Sequence, residues 1–254
     1  MSLTGDLEAF GLNGSIDSYD PGLAIMKQKT FQFSFPCPEA LFPEVVHQLG
    51  YPYGRAVSEE VEKEIHRAIP FCQQQIHPQT CYKDTPFLTR KKGVFTGQDL
   101  QIHSRRWANL VGRLENPAWL CCFLVTLGKG FDHAAADLQK DSLFPAYLLD
   151  AVGSVVIEQM SGQMTRYLAG MMSARGYQST ARFSPGYCDW ELKSGQNALF
   201  SFLNPEKIGV ELTSSGMMIP RKSISAVIIG AARVPWKTPC PSCSKGECVY
   251  RREE

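Results

Sequence analysis

The sequence predicts an α+β fold. Two amphipathic helices early in the chain, one long periodic stretch at its middle and period-two segments near its end carry that reading, and the order argues against a doubly wound sheet. The chain has 254 residues, 44% hydrophobic and 20% charged, which fits one large globular domain or two small ones with a real core. A net charge of +1 gives no electrostatic case for nucleic acid or an anionic membrane as partner. No uninterrupted apolar run of membrane-spanning length occurs, and the first 30 residues lack a basic head followed by an apolar stretch, so a soluble, cytoplasmic protein is expected. Residues 1–30, rich in Gly, Ser and Asp, form an expected N-terminal arm, residues 31–235 the globular domain, and residues 236–254 a Cys-rich C-terminal tail.

From Ser58 onward Val61, Ile65, Ala68, Ile69 and Cys72 fall on one helical face, with Glu59, Glu60 and Glu62 loading the first turn and Pro78 beyond the end. A second helix is expected across Ser104–Leu114, with Trp107, Leu110, Val111 and Leu114 aligned and Asn116-Pro117 closing it. The continuous apolar run from Ala118 to Thr126 has the form of a strand buried on both faces, broken by Gly128 and Gly130. The periodic stretch from Ser142 to Arg175, with Pro145 in its first turn and Gly176 just past its end, predicts one long central helix. At 100° per residue Phe144, Leu148, Ala151, Val155, Gly162 and Ala169 share a stripe in which Glu158 falls, so this carboxylate is expected to point inward. A buried charge needs a partner: a ligand cation, a donor in a polar cavity, or an ion pair with Arg166 or Arg182. A short helix over Gly195–Leu203 precedes Asn204-Pro205, and strands are expected over Ile208–Leu212 and Ile224–Ile229.

The densest cluster of unusual residues is Arg182-Phe-Ser-Pro-Gly-Tyr-Cys-Asp-Trp190. Pro185-Gly186 favours a tight turn with positive φ at the glycine, which also lets backbone approach a ligand. Arg182 can grip a carboxylate with two parallel hydrogen bonds, and Tyr187 and Trp190 can cover a flat or cationic group such as a sulfonium. The same residue types also occur in ordinary surface turns. No phosphate-binding glycine loop, His-Glu-x-x-His or Gly-x-Ser-x-Gly elbow is present, and the five histidines are scattered singly.

Of nine cysteines, Cys37, Cys72, Cys121 and Cys122 sit among apolar neighbours and read as small hydrophobes. Cys240-x-x-Cys243-x-x-x-x-Cys248 presents three thiolates at short spacing, suited to Zn or an iron-sulfur cluster with a fourth ligand from elsewhere, Cys188 or Cys81 among the candidates. A redox-active dithiol and plain reduced thiols are the alternatives.

Arg182-x-Ser-Pro-Gly-Tyr187, then Leu212-Thr-Ser-Ser-Gly-Met-Met-Ile-Pro220 and Lys222-Ser-Ile-Ser225, together resemble the activation (reactivation) domain of cobalamin-dependent methionine synthase. Thr126-Leu-Gly128 and the Asp150-Ala-x-Gly-Ser154 to Glu158 run resemble its stand-alone members, and the likeness extends over roughly residues 35–251. The resemblance implies a long central helix with helices packed around a twisted, mainly antiparallel sheet. It also implies an S-adenosylmethionine site at Glu158, Arg182, Ser184, Gly186 and Tyr187, with Arg182 on the methionyl carboxylate, Glu158 facing the amino-acid portion or sulfonium, and Tyr187 where ligand and corrinoid meet. Cys188 departs from the glycine that often follows the tyrosine in such relatives. An Asp-x-His-x-x-Gly cobalamin signature does not occur, so the corrinoid is expected on a partner protein, with an electron donor protein as a second partner. Two other classes stand beside this reading: a redox protein whose tail holds an iron-sulfur cluster, and a non-catalytic module that clamps a corrinoid protein.

Overall fold

The computed structural model describes residues 31, 33–91 and 93–236. Six helices and a six-stranded antiparallel sheet build it: α1 (Pro38–Gln48), α2 (Glu59–Gln75), β1 (Gln79–Lys91), β2 (Val94–Gly97), β3 (Leu100–His103), α3 (Arg105–Val111), β4 (Glu115–Thr126), α4 (Lys129–Asp141), α5 (Leu143–Ala174), β5 (Gln178–Ser179), α6 (Leu192–Leu203), a 3-10 turn (Pro205–Ile208), the short pair β6 (Glu211–Leu212) and β7 (Met218–Ile219), and β8 (Ser223–Arg233). The sheet runs β3-β2-β1-β4-β8-β5. This is the α+β architecture the sequence predicts, with a long helix at its centre.

The apolar run in β4 is buried on both faces because both are covered. Cys121, Phe123 and Val125 belong to a core shared with α1, α2, α4 and α5; Leu120, Cys122 and Leu124 belong to a second core shared with α3 and α6. That split follows from the period-two alternation of a strand. Burial pushes the Cys72 thiol up to about 12 and raises Cys121 and Cys122 as well, consistent with inert packing groups. Cys37 differs from expectation: it is exposed at the start of α1, where its thiol donates to the Glu39 carboxylate, because the apolar neighbours in sequence turn inward and it does not.

Several boundaries follow local chemistry. Ser58 caps α2 by accepting from the Val61 N–H, and Ser104 caps α3 by accepting from the Trp107 N–H. α5 ends in a Schellman motif, with Tyr177 N–H on Met172 C=O and Gly176 N–H on Ser173 C=O, Gly176 having φ 81°. Asn116-Pro117 does not close α3; it lies inside β4 at an irregularity in the pairing with β8.

α5 is long and apolar enough to cross a bilayer, and in this fold most of its apolar residues after Tyr147 are taken up by protein contacts. It touches the sheet on one side and α1, α2 and α4 on another, so its buried surface is not a single stripe. Among what stays outside is a run of residues three or four apart, Phe144, Tyr147, Asp150, Ser154, Glu158, Gly162 and Arg166, each half-buried or exposed. Here Glu158 departs from the inward orientation expected of it: its side chain is 50% exposed. Phe144, assigned to the same stripe, is exposed too. The physical reason is that a helix packed on two sides leaves its open sector between them, and a seam computed from apolar spacing alone cannot locate that gap. At Gly153, behind the sector, a Cβ would collide with the Phe131 ring, so glycine is what allows α4 to lie so close to α5.

Candidate functional site around Arg182

The chain leaving α5 runs back along the edge of β8. Gln178 and Ser179 form β5, Thr180 N–H bonds Ile229 C=O, and Phe183 exchanges two backbone hydrogen bonds with Val227. Alternation along this edge sends Phe183 into the second core and turns its neighbour Arg182 the other way, onto the open sector of α5. There the guanidinium pairs with the Glu158 carboxylate and donates to the Ser161 hydroxyl, one turn further along α5. Arg182 is 20% exposed; Ser161 is fully buried. Of the two cations named as possible partners for Glu158, the structure selects Arg182.

Beyond Phe183 the loop turns sharply. Gly186 has φ 87° and its N–H bonds Trp190 C=O at 2.8 Å, while Tyr187 N–H bonds Ser184 C=O and Trp190 N–H bonds Tyr187 C=O. The tip, Gly186 to Cys188, is exposed, and the Tyr187 ring is 52% exposed beside the Arg182 pair in sequence. Trp190 does not cover a ligand. It is buried in the second core, stacked on Phe183 with ring centroids 5.4 Å apart. An indole two residues past the tip had two directions open to it, and the apolar one won.

Of the residues singled out in sequence, Glu158 and Arg182 are thus in direct contact, and Ser184, Gly186 and Tyr187 follow in the same loop. Ser161 was missed, although it sits one turn from Glu158 on a helix face already under scrutiny. A second polar node lies two turns toward the N-terminus of α5. Lys222 Nζ contacts Asp150 Oδ1 and Ser154 Oγ, each at 2.8 Å, and Ser223 Oγ donates to Thr126 Oγ1, which also accepts from the Gly128 N–H. The scattered segments Thr126–Gly128, Asp150–Ser154 and Lys222–Ser223 therefore meet at one junction.

Two open hollows lie elsewhere: one of about 690 Å³ against α6, bordered by Asn197, Asn204 and Glu206, and one of about 490 Å³ on the β1–β3 meander. Neither borders Arg182. Among the described residues no cluster of three or more metal-ligating side chains occurs, Cys81 is buried and Cys188 exposed. Cys240, Cys243 and Cys248 lie outside the described residues.

No curated protein matches this chain. Among solved structures it is similar to the MetH reactivation domain bound to AdoHcy, with a TM-score of 0.60 and 14% identity over 87% of this chain and 84% of that one. The family model of the vitamin B12 dependent methionine synthase activation domain matches residues 111–235, the stretch that holds β4, α5, the Arg182 loop and β8. Through that segment the chain is similar to the activation-domain family of cobalamin-dependent methionine synthase.

Proposed function

We propose that this protein binds S-adenosylmethionine at the Arg182–Glu158 pair and serves the reductive reactivation of a corrinoid carried by a partner protein. The observation that carries the reading is a guanidinium held at the foot of the Arg182–Tyr187 loop by a half-exposed carboxylate and a buried hydroxyl. The AdoHcy bound by the similar solved domain supports the ligand class.

The residues suit an amino-acid-bearing sulfonium. Arg182 has five N–H donors in a planar fork, and Glu158 and Ser161 engage it through two of its nitrogens. In the absence of ligand the Glu158 carboxylate stands where a methionyl carboxylate would go. Ligand entry then exchanges one carboxylate for another on the same guanidinium, and Glu158, released but anchored on α5, faces the ligand ammonium. Charge stays paired throughout, which matters because leaving either group unpaired in a half-buried site costs on the order of 1–3 kcal/mol. Gly186 lets the loop backbone approach, and the half-exposed Tyr187 stands in the same loop as an aromatic neighbour for the sulfonium. When bound, S-adenosylmethionine supplies a methyl group that, together with one electron from a donor protein, converts cob(II)alamin to methylcobalamin and leaves S-adenosylhomocysteine. The chain's own part is binding and orientation; no nucleophile or proton donor of the protein is needed.

Isothermal titration with S-adenosylmethionine tests this. Heat with the wild-type protein and none with Arg182→Ala is the expected result. No heat with either overturns the reading, and co-purification of a corrinoid domain in that case would point to the non-catalytic clamp.

A further inference from the structure

We propose that Asp189 is a positioning residue that ties the far end of the Arg182–Trp190 loop to α3 and thereby fixes where the Arg182 guanidinium sits. The proposal rests on the S-adenosylmethionine reading for its ligand and on hydrogen bonds of the chain itself for its geometry.

The loop does not hold itself. Gly186 and Cys188 are both left-handed, at φ 87° and 54°, and a non-glycine residue in that region costs roughly 1–2 kcal/mol. Three internal backbone bonds close the turn but tie it only to itself. Beside the Phe183–Val227 bridge to β8, a further external grip at the loop's far end comes from a helix more than seventy residues earlier in the chain. Asp189 Oδ1 accepts from Ser104 Oγ at 2.6 Å and Oδ2 accepts from the Arg106 N–H at 3.1 Å. Ser104 Oγ in turn accepts from the Trp107 N–H at 3.1 Å, so one hydroxyl both caps α3 and donates a hydrogen bond to the loop carboxylate. At the other end of the loop the Trp107 ring stacks on Phe183 at 4.0 Å, and Phe183 is sandwiched by Trp190. One seven-residue helix therefore holds both ends of the loop.

Burial raises the Asp189 carboxyl, but hydrogen bonds from Ser104 and from the Arg106, Asp189 and Arg105 backbone outweigh it, leaving it below its ordinary value. The clamp is thus made by an anion at neutral pH, placed at a helix start that favours one. Arg182 is adjacent to Phe183, whereas Glu158 and Ser161 are fixed on α5. Play at the far end reaches the guanidinium through the Trp190–Phe183 stack, and misplacement by about 1 Å is enough to weaken a bidentate contact markedly.

The test compares S-adenosylmethionine with 5′-methylthioadenosine, which lacks the amino-acid group that Arg182 would hold. In Asp189→Ala the affinity for S-adenosylmethionine is expected to fall about tenfold, equivalent to about 1.4 kcal/mol, with 5′-methylthioadenosine within twofold of wild type. Asp189→Asn, which keeps one acceptor, falls between. In the ligand-free protein, amide exchange at Gly186, Tyr187 and Trp190 rises in Asp189→Ala while α5 is unchanged; Ser104→Ala gives the same pattern should Asp189→Ala fold poorly. Equal losses for both ligands would reduce Asp189 to a structural residue and overturn the proposal. Unchanged exchange at the loop overturns the anchor by itself. A wild-type protein that binds neither ligand overturns the S-adenosylmethionine reading, and with it the ligand half of this proposal, while the exchange measurement still decides the clamp.

Discussion

Two cation–carboxylate pairs lie on the same sector of α5, two helical turns apart, and they differ in what holds the cation. Lys222 enters β8, is 13% exposed, and divides its ammonium between Asp150 and Ser154, next to the Thr126–Ser223 hydrogen bond. Arg182, 20% exposed, stands on a loop whose tip is exposed; the carboxylates of the two pairs are similarly open to water, Asp150 at 45% and Glu158 at 50%. The chemistry of the two is alike. The first joins strand to helix; the second sits on a loop, and the proposed exchange of partners on ligand binding is assigned to it.

Replacing residues at the two ends should separate these roles. The largest loss of stability is expected where α5 and α4 touch: Gly153→Ala drives a methyl group into the Phe131 ring, and about 1–3 kcal/mol of overpacking should appear as a lowered denaturant midpoint. Lys222→Ala removes two charge-assisted bonds from a mostly buried ammonium and should cost about 1–2 kcal/mol by the same measurement, with S-adenosylmethionine affinity little changed. Arg182→Ala should cost a similar amount, about 1–3 kcal/mol, as an unpaired group in this site does, but with loss of ligand heat. Should Lys222→Ala abolish binding as completely as Arg182→Ala, the contrast between a lock and an exchangeable pair fails. The smallest effect belongs to Glu158→Gln. S-adenosylmethionine is expected to bind about fivefold more weakly for want of an ammonium partner, equivalent to about 1 kcal/mol, while an analogue without the amino group binds more tightly because the competing carboxylate is gone.

The same contrast bears on what could be read before the fold was seen. α5 was legible because Pro145 and Gly176 mark its ends and its apolar residues persist between them; the observed helix is Leu143–Ala174. β4 was legible as an uninterrupted apolar run. α4 was hidden, since Gly128 and Gly130 look like breakers, yet Gly128 at φ 86° begins the helix that follows. α1, with Pro43 inside it, and β1, with Pro86 within the strand, carry residues that argue against the elements they join. At the site, residue chemistry alone suggested Arg182 and Glu158 as partners among alternatives, and the family resemblance assigned them to a ligand. Neither revealed Ser161, the junction at Lys222 or the Asp189 clamp, because each depends on segments tens of residues apart meeting at one place. Trp190 shows the complementary difficulty: a loop sequence does not say which of its rings turns inward.

The most direct test of an exchangeable Arg182–Glu158 pair is a crystal structure grown with S-adenosylmethionine. The expected density places the methionyl carboxylate on the Arg182 guanidinium, with Glu158 turned to the ligand ammonium and Lys222 still on Asp150. Ligand bound away from residues 182–187, or bound with Arg182 still paired to Glu158, would contradict it.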